Sequence, residues 1–467
     1  MNQVKPKIGL LALTLELYET LSPQLRMNRE NWVKSRVVPK LQQDFDVVFN
    51  HAVYNTQTIS NEIRCFEQEK ADAIVVLFLC YSPSQVALPA LQQTSLPIVI
   101  WNTQELFAVD ENYSGKELNE NHGVHGTHDL GNVLCRSGIP FEIFTSHLSD
   151  DDPFVDMRDY LIAIQTVNSM RGSKFALIGY PFPGMGDFAV DTTKLVCDFG
   201  ASYGMVSVEE YIKRSANAEA KEVDQIVGDY RQLYDVASDI TEFDLQMTAR
   251  SEIAFRQIVK EHELSGLTYQ FTAFGEDERT STVPFVAISR LMGEGVGFGG
   301  EGDLVATTAT TMFNRLTRGA ATFSEIFTTD FAGNALFFSH MGESNISMAR
   351  KDRKIPLVAR PGQITKTLHR QLSLVTSMEP GPATFCVLAL TSDGYKIIMS
   401  LGEIEDFGPL PQLCVPHSKF RLDFDVRDFL SDYVRQGGPH HNAICLGDVR
   451  KRLVYLADLI NAEIVEL

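Results

Sequence analysis

The chain has 467 residues, of which 44% are hydrophobic and 22% charged, with 60 acidic against 41 basic side chains and a formal charge of −19. That length exceeds one ordinary core and points to two or three domains, while the composition argues against long disordered stretches. Acidic groups spread along the whole chain repel phosphate backbones and anionic lipids, so nucleic acid and membranes are disfavoured as partners and a small neutral or cationic ligand is favoured.

The opening segment MNQVKPKIGLLALTLELYETL sets two lysines before an apolar run. Pro6 and Glu16 bracket a run of strand length and no small-residue cleavage site follows, so it reads as a buried first strand over residues 8–13 rather than an export signal. A helical pattern through residues 32–41 follows, then a strand at 46–49, a helix near 60–70, a strand at 73–79, a helix near 84–91 and a strand at 97–101. Apolar strands separated by helical stretches predict a parallel sheet covered on both faces. After Thr145 an acidic stretch, DDDPFVDMRD, opens a helix ending at Met170, and the polar MRGSK precedes a new strand at 175–180. A second α/β unit follows, with helices near 218–236 and 245–263, a strand at 267–274 and a glycine-rich turn at 293–302.

From about Asn334 the pattern changes to apolar runs at 335–339, 385–390 and 395–400, broken by the turn signals GPA, SDG and GEIEDFGPL, with closing helices near 424–434 and 448–460. The expected fold class is α/β: two doubly wound α/β domains, 1–172 and 173–325, followed by a β-rich, barrel-like domain, 326–467. No run reaches the roughly 18 uninterrupted apolar residues of a membrane span. The seven cysteines, at 65, 80, 135, 197, 386, 414 and 445, form no CxxC pair and lie mostly in apolar runs, which argues for small core residues in a reducing compartment, the cytoplasm.

Four residues of the second half could hold one divalent cation: Glu301 in GFGGEGD, Glu325 in TFSEIF, His340 in FFSHMGES and His441 in GGPHHN. Two carboxylates and two imidazoles fix a Lewis acid and leave coordination positions for substrate oxygens. The glycines before Glu301 precede a carboxylate, and no GK[ST] follows, so a phosphate loop is a poor reading. They instead let the backbone turn sharply and project Glu301 into a cleft at a strand's end. Glu325 sits among Phe323, Ile326 and Phe327, which suits the polar side of an amphipathic helix, and Asp330 is an equal candidate by the same reasoning. His340 ends an apolar run, where a lone histidine is more often a hydrogen-bonded core residue than a ligand. His440 and His441 stand at a loop-to-strand junction, and neighbours on an extended segment point to opposite faces, so one is expected on the metal and the other toward substrate or core. HExxH, GxSxG and EF-hand patterns are missing from the sequence.

The order and spacing of PFVAISRLMGEGVGFGGEGD, TFSE, SHMGE and a late Gly-Gly-x-His-His element resemble the L-arabinose isomerase family, within the wider L-fucose/L-arabinose isomerase group. The resemblance spans essentially the whole chain, loosely before residue 172 and around 205–265. It implies that Glu301 and Glu325 are both catalytic and metal-binding, that His340 and His441 complete the metal site, and that Glu325 rather than Asp330 is the second carboxylate. It also implies sugar contacts at Leu17, Tyr81, His122, His125, Met185, Phe274 and His440, with Tyr18 beside Leu17. A hexamer is implied, in which one subunit's N-terminal domain completes a neighbour's cleft.

The chain departs from the family pattern where Leu15 and His122 replace glutamines and where His128 and Asp129 replace an arginine–glutamate pair. GESN also follows His340 in place of a more apolar segment, although Glu343 keeps the acid. The metal chemistry is retained while sugar-contacting groups differ, so the resemblance does not fix the sugar. The expected function is a metal-dependent aldose–ketose isomerase working through an enediol(ate) on a small neutral sugar. A donor set of two oxygens, two nitrogens and no thiolate favours Mn2+, with Co2+, Mg2+ and Zn2+ as the other ions to test. The alternatives are a metal-dependent epimerase or lyase on a related sugar, or a non-catalytic sugar-binding homologue.

Overall fold

The computed structural model describes residues 5–275, 277–361 and 369–467. The chain divides between Asn168 and Ser169 into two compact units.

The first unit is built on five strands, β1 (Lys7–Leu13), β2 (Asp46–Val48), β3 (Ala73–Phe78), β4 (Ile98–Asn102) and β5 (Phe141–Thr145), in the parallel order β2-β1-β3-β4-β5. β3 is buried at all six positions, as a central strand covered on both faces requires. Helices such as Thr56–Gln68, which starts in a capping box at Asn55, and Gly123–Ser137 connect the strands and cover the sheet. The HGVHGTHDLG motif lies across the start of the second of these helices.

The second unit combines a parallel sheet with an antiparallel barrel. Its strands are β6 (Lys174–Ile178), β7 (Ser202–Val206), β8 (Tyr234–Val236), β9 (Gly266–Tyr269), β10 (Gly297–Gly299), β11 (Ala321–Asp330), β12 (Ala335–Ser339), β13 (Ile355–Ala359), β14 (Leu372–Leu374), β15 (Gly381–Thr391), β16 (Gly394–Ile404), β17 (His417–Leu422), β18 (His441–Leu446) and β19 (Glu463–Glu466). The parallel sheet runs β10-β9-β6-β7, so its strand order reverses between β6 and β9. A crevice outside the carboxyl ends of strands at such a reversal is where open α/β sheets bind ligands. The loops that leave β6 and β10 there carry Met185, Asp187 and Glu301.

Antiparallel pairing in the order β15-β18-β11-β12-β17-β16 is closed by β15 against β16, giving a six-stranded barrel to which β19 adds a parallel edge. Phe338, Phe385, Val387, Ile398, Phe420 and Ile444 fill it, with the helix Val426–Arg435 contributing Phe429 and Tyr433. A small sheet, β14-β13-β8, completes the unit.

Four sequence expectations change. The strand expected at 267–274 stops at Tyr269, because Gln270 turns the chain by accepting the Thr272 N–H at 3.1 Å, and Phe271–Gly275 is a short helix. The helix expected to reach 236 ends at Leu233, and Tyr234–Val236 joins β13 instead. The segment around Glu325 is strand, not helix, since its aromatic and β-branched residues pair on both sides in the barrel wall. Of the seven cysteines, all free thiols, Cys80, Cys386 and Cys445 are core residues while Cys135 and Cys197 are exposed. Among the described residues no helix is long and apolar enough to cross a membrane.

Candidate metal and active site

Strand pairing brings three of the four candidates together. Glu325 on β11 lies directly opposite His441 on β18 and opposite Ser339 on β12, the residue before His340. Directly opposed residues share a face of the sheet, so Glu325 and His441 project together. Asp330, the competing carboxylate, lies five residues further along β11, roughly 16 Å away by strand rise, and pairs with Lys419.

Glu301 arrives from the parallel sheet in the turn after β10. It adopts φ 59° and ψ 18°, a left-handed conformation that costs a non-glycine residue about 1–3 kcal/mol and is retained where surroundings demand it. The Thr268 hydroxyl clamps the turn, donating to the Gly299 carbonyl at 2.7 Å and accepting the Gly302 N–H at 2.9 Å. Gly300 has to be small: a Cβ there would lie 2.9 Å from His340 Nε2 and 2.9 Å from the Phe323 ring.

One donor atom each from Glu301, Glu325, His440 and His441 falls within 4.8 Å of the others. His441 Nε2 is 3.3 Å from Glu325 Oε1 and 3.8 Å from Glu301 Oε2, and His340 Nε2 is 4.0 Å from Glu325 Oε1. Glu301 Oε2, His340 Nε2 and His441 Nε2 are buried and lack any hydrogen-bond partner. Most buried polar atoms of folded proteins find a partner, so three unpartnered ligand atoms gathered around one carboxylate fit an ion.

The remaining ring nitrogens are held by carboxylates. His441 Nδ1 donates to Asp303 Oδ2 and His340 Nδ1 donates to Glu343 Oε2, each at 2.8 Å. A carboxylate only accepts, so each Nδ1 carries the hydrogen and each Nε2 is free to ligate, the arrangement that orients histidine ligands in metal sites. The Tyr269 hydroxyl donates to the other oxygen of Glu343. The His441 ring lies between Phe188, stacked at 5.4 Å, and Phe323, edge-on at 4.9 Å.

Burial opposes protonation of His441, but Asp303 and Glu325 outweigh it and push its pKa up to about 9, so a cation at this site would displace the Nε2 proton. Burial would raise the Glu325 carboxyl, yet His441, His340 and His440 together hold it below the usual range.

The two late histidines do not split between opposite faces. His440 stands in a bend before β18, where strand alternation does not apply, and its ring centroid is 4.0 Å from that of His441. Its Nε2 is 3.9 Å from both Glu301 Oε2 and Glu325 Oε1, and the Glu301 carboxylate raises its pKa against the effect of burial. A cavity of about 100 Å³ beside the site is lined by Asp187, Asp303, His441 and Asn442 with apolar side chains of β15 and the helix Leu304–Leu316.

The other expected sugar contacts fall in several environments. Met185 is half-buried in the loop after β6. Phe274 is 0% exposed and packs in the aromatic core against Tyr211 and Tyr269. In the first unit Leu17 is exposed, His122 lies 5.8 Å from His125 and 6.5 Å from Tyr18 between ring centroids, and Tyr81 donates to Asp129 at 3.4 Å. Asp129 also accepts the Ser84 N–H at 2.9 Å at the start of the helix Ser84–Leu91. Sequence reasoning missed Asp303 and Asp187. Asp303 had a local signal, an acid directly before a helical run, whereas Asp187 had none.

Residues 184–319 match the L-arabinose isomerase central domain and residues 320–463 the L-arabinose isomerase C-terminal domain. Among curated relatives, the L-arabinose isomerase of Acidothermus cellulolyticus is 23% identical over 419 residues, covering 86% of this chain and 82% of that one. The L-arabinose isomerase of a Nocardioides species is 25% identical over 82% of this chain and 78% of its own. The L-arabinose isomerase of Geobacillus kaustophilus is 23% identical over 96% of this chain and 91% of its own.

Proposed function

The chain belongs to the L-arabinose isomerase family, whose named members are aldose–ketose isomerases, and from that premise we propose that it is a divalent-cation-dependent isomerase of a small neutral sugar. The observation that carries this reading is the trio of buried, unpartnered donor atoms, Glu301 Oε2, His340 Nε2 and His441 Nε2, gathered around Glu325. Glu301, Glu325, His340 and His441 would hold the ion, and Mn2+ suits their oxygen and nitrogen donors. A cation held there polarises the two sugar oxygens and acidifies the C–H bond between them.

Isomerisation takes the proton from C2 of an aldose and returns one to C1, while a hydroxyl proton moves from O2 to O1. The carboxylates of Glu301 and Glu325 supply the two proton-holding groups within reach of one substrate. Glu325, held below the usual carboxylate range, is ionised and therefore able to accept a proton. Asp303 and Glu343 fix the imidazoles so that Nε2 and not Nδ1 faces the centre. The left-handed turn at Glu301, clamped by Thr268, fixes the direction in which its side chain leaves the backbone.

Carboxylates outnumber cations here, so a phosphorylated sugar or a sugar acid would meet like charge, which weighs against the epimerase and lyase alternatives. The departures at Leu15, His122, His128 and Asp129 support a sugar other than L-arabinose. Family membership supports a homo-oligomer, a hexamer in this reading.

The experiment is incubation of the Mn2+-loaded protein with a panel of aldoses and ketoses in D2O. One sugar should be converted with solvent deuterium incorporated into the product. Conversion without deuterium would replace the enediol route by a hydride shift. No conversion across the panel would overturn the isomerase reading in favour of a lyase or a non-catalytic homologue.

A further inference from the structure

The loop leaving β6 at the strand-order reversal grips the donor set at three points. The Phe182 N–H donates to the Glu301 carbonyl at 2.9 Å, Phe188 stacks on His441 at 5.4 Å, and Asp187 between them takes hold of His440. A single oxygen, Asp187 Oδ2, accepts both the His440 backbone N–H at 3.0 Å and its ring Nδ1–H at 2.5 Å. Two bonds to one acceptor fix the ring about both its backbone and its χ angles, and Nε2 then faces Glu301 and Glu325 at 3.9 Å each. His440 is the most exposed of the four donors, with 39% of its side chain accessible against 1% for His441, 7% for Glu301 and 15% for Glu325. A ring in that place, left without Asp187, could turn its Nε2 away into solvent.

We propose that Asp187 is a positioning residue that locks His440 with Nε2 toward the substrate side of the centre, so that His440 hydrogen-bonds a sugar oxygen and leaves metal ligation to Glu301, Glu325, His340 and His441. The two bonds need one oxygen at this position with two lone pairs free to accept, which a carboxylate or amide oxygen supplies. The assignment deepens the isomerase reading and rests on it for its kinetic readout alone.

The test compares Asp187→Ala and Asp187→Asn with the unaltered protein in three measurements: Mn2+ affinity by calorimetry without sugar, steady-state kinetics, and a crystal structure of each variant with Mn2+. Asn keeps an acceptor oxygen. Asp187→Ala should lower kcat/KM about 10- to 100-fold, leave the Mn2+ dissociation constant within about twofold, and show the His440 ring turned, while Asp187→Asn should recover most of the activity and the ring orientation. A fall in Mn2+ affinity that tracks the loss of activity would overturn the proposal, because His440 would then ligate the metal. Unchanged kcat/KM in Asp187→Ala, or an unmoved ring, would overturn it as well. If the unaltered protein converts no sugar, the isomerase reading fails, and the ring orientation and Mn2+ affinity still decide whether Asp187 positions His440.

Discussion

Asp303 binds His441 with one carboxylate oxygen and starts a helix with the other: Oδ2 accepts the ring Nδ1–H at 2.8 Å, and Oδ1 accepts the Ala306 N–H at 2.8 Å as N-cap of Leu304–Leu316. The helix therefore fixes the histidine's tautomer. In Asp303→Asn the oxygen can keep the cap, which turns the amide N–H2 toward Nδ1 and forces the ring proton onto Nε2, the atom meant to ligate. Mn2+ affinity should fall about 10- to 100-fold with little change in thermal unfolding. Asp303→Ala should lose the same affinity and in addition about 1 kcal/mol of stability from the cap. Calorimetry and thermal melts separate the two, and an unchanged Mn2+ affinity in the Asn variant would refute the tautomer role.

Gly300→Ala is expected to damage the site while sparing the fold. The new Cβ would fall 2.9 Å from His340 Nε2, and that ring cannot simply swing aside because Glu343 holds its Nδ1. The ring has to break that bond or the turn has to shift Glu301. Mn2+ affinity and turnover should both drop while the melting temperature stays within a few degrees. A variant with native affinity would show that the ring has more room than its contacts suggest.

Chelation should stop turnover, and added Mn2+ should restore it. Glu301→Gln should not be rescued by Mn2+, because the amide neither carries the charge nor accepts a substrate proton, and its rate should fall by about 10²- to 10⁴-fold. Retained activity in Glu301→Gln at saturating Mn2+ would remove Glu301 from the chemistry.

The apolar strands of the first sheet are legible in the sequence because a parallel strand covered on both faces is apolar at every position, as β3 is. Glu325 was harder to read, since Phe323, Ile326 and Phe327 around it suit a helix as well as a strand, and only pairing with β12 and β18 decides. His440 defeated the alternation rule because it stands in a bend, a backbone detail that Gly-Gly-Pro announces without specifying. Asp303 reaches His441 across 138 residues, a contact no spacing along the chain encodes, whereas Glu343 stands three residues after His340 and is legible as a retained acid.

His417 gives a stability prediction separate from the metal. Burial lowers its pKa, with the Val415 carbonyl opposing, and the neutral ring donates from Nδ1 to that carbonyl at 2.8 Å while Nε2 accepts the Leu410 N–H at 3.0 Å. Protonation would set a second N–H against the Leu410 N–H and break that bond. Because the folded pKa lies below the unfolded one, the unfolded chain takes up the proton first as pH falls, so stability is full above about pH 6.5 and declines below it until the folded ring is protonated too. Gln at this position keeps a donor and an acceptor but does not titrate. Melting temperatures of the unaltered protein and His417→Gln should therefore run parallel above neutrality and differ in slope below about pH 6.5, the unaltered protein falling more steeply. Equal slopes in that window would mean that His417 protonates as readily in the fold as outside it.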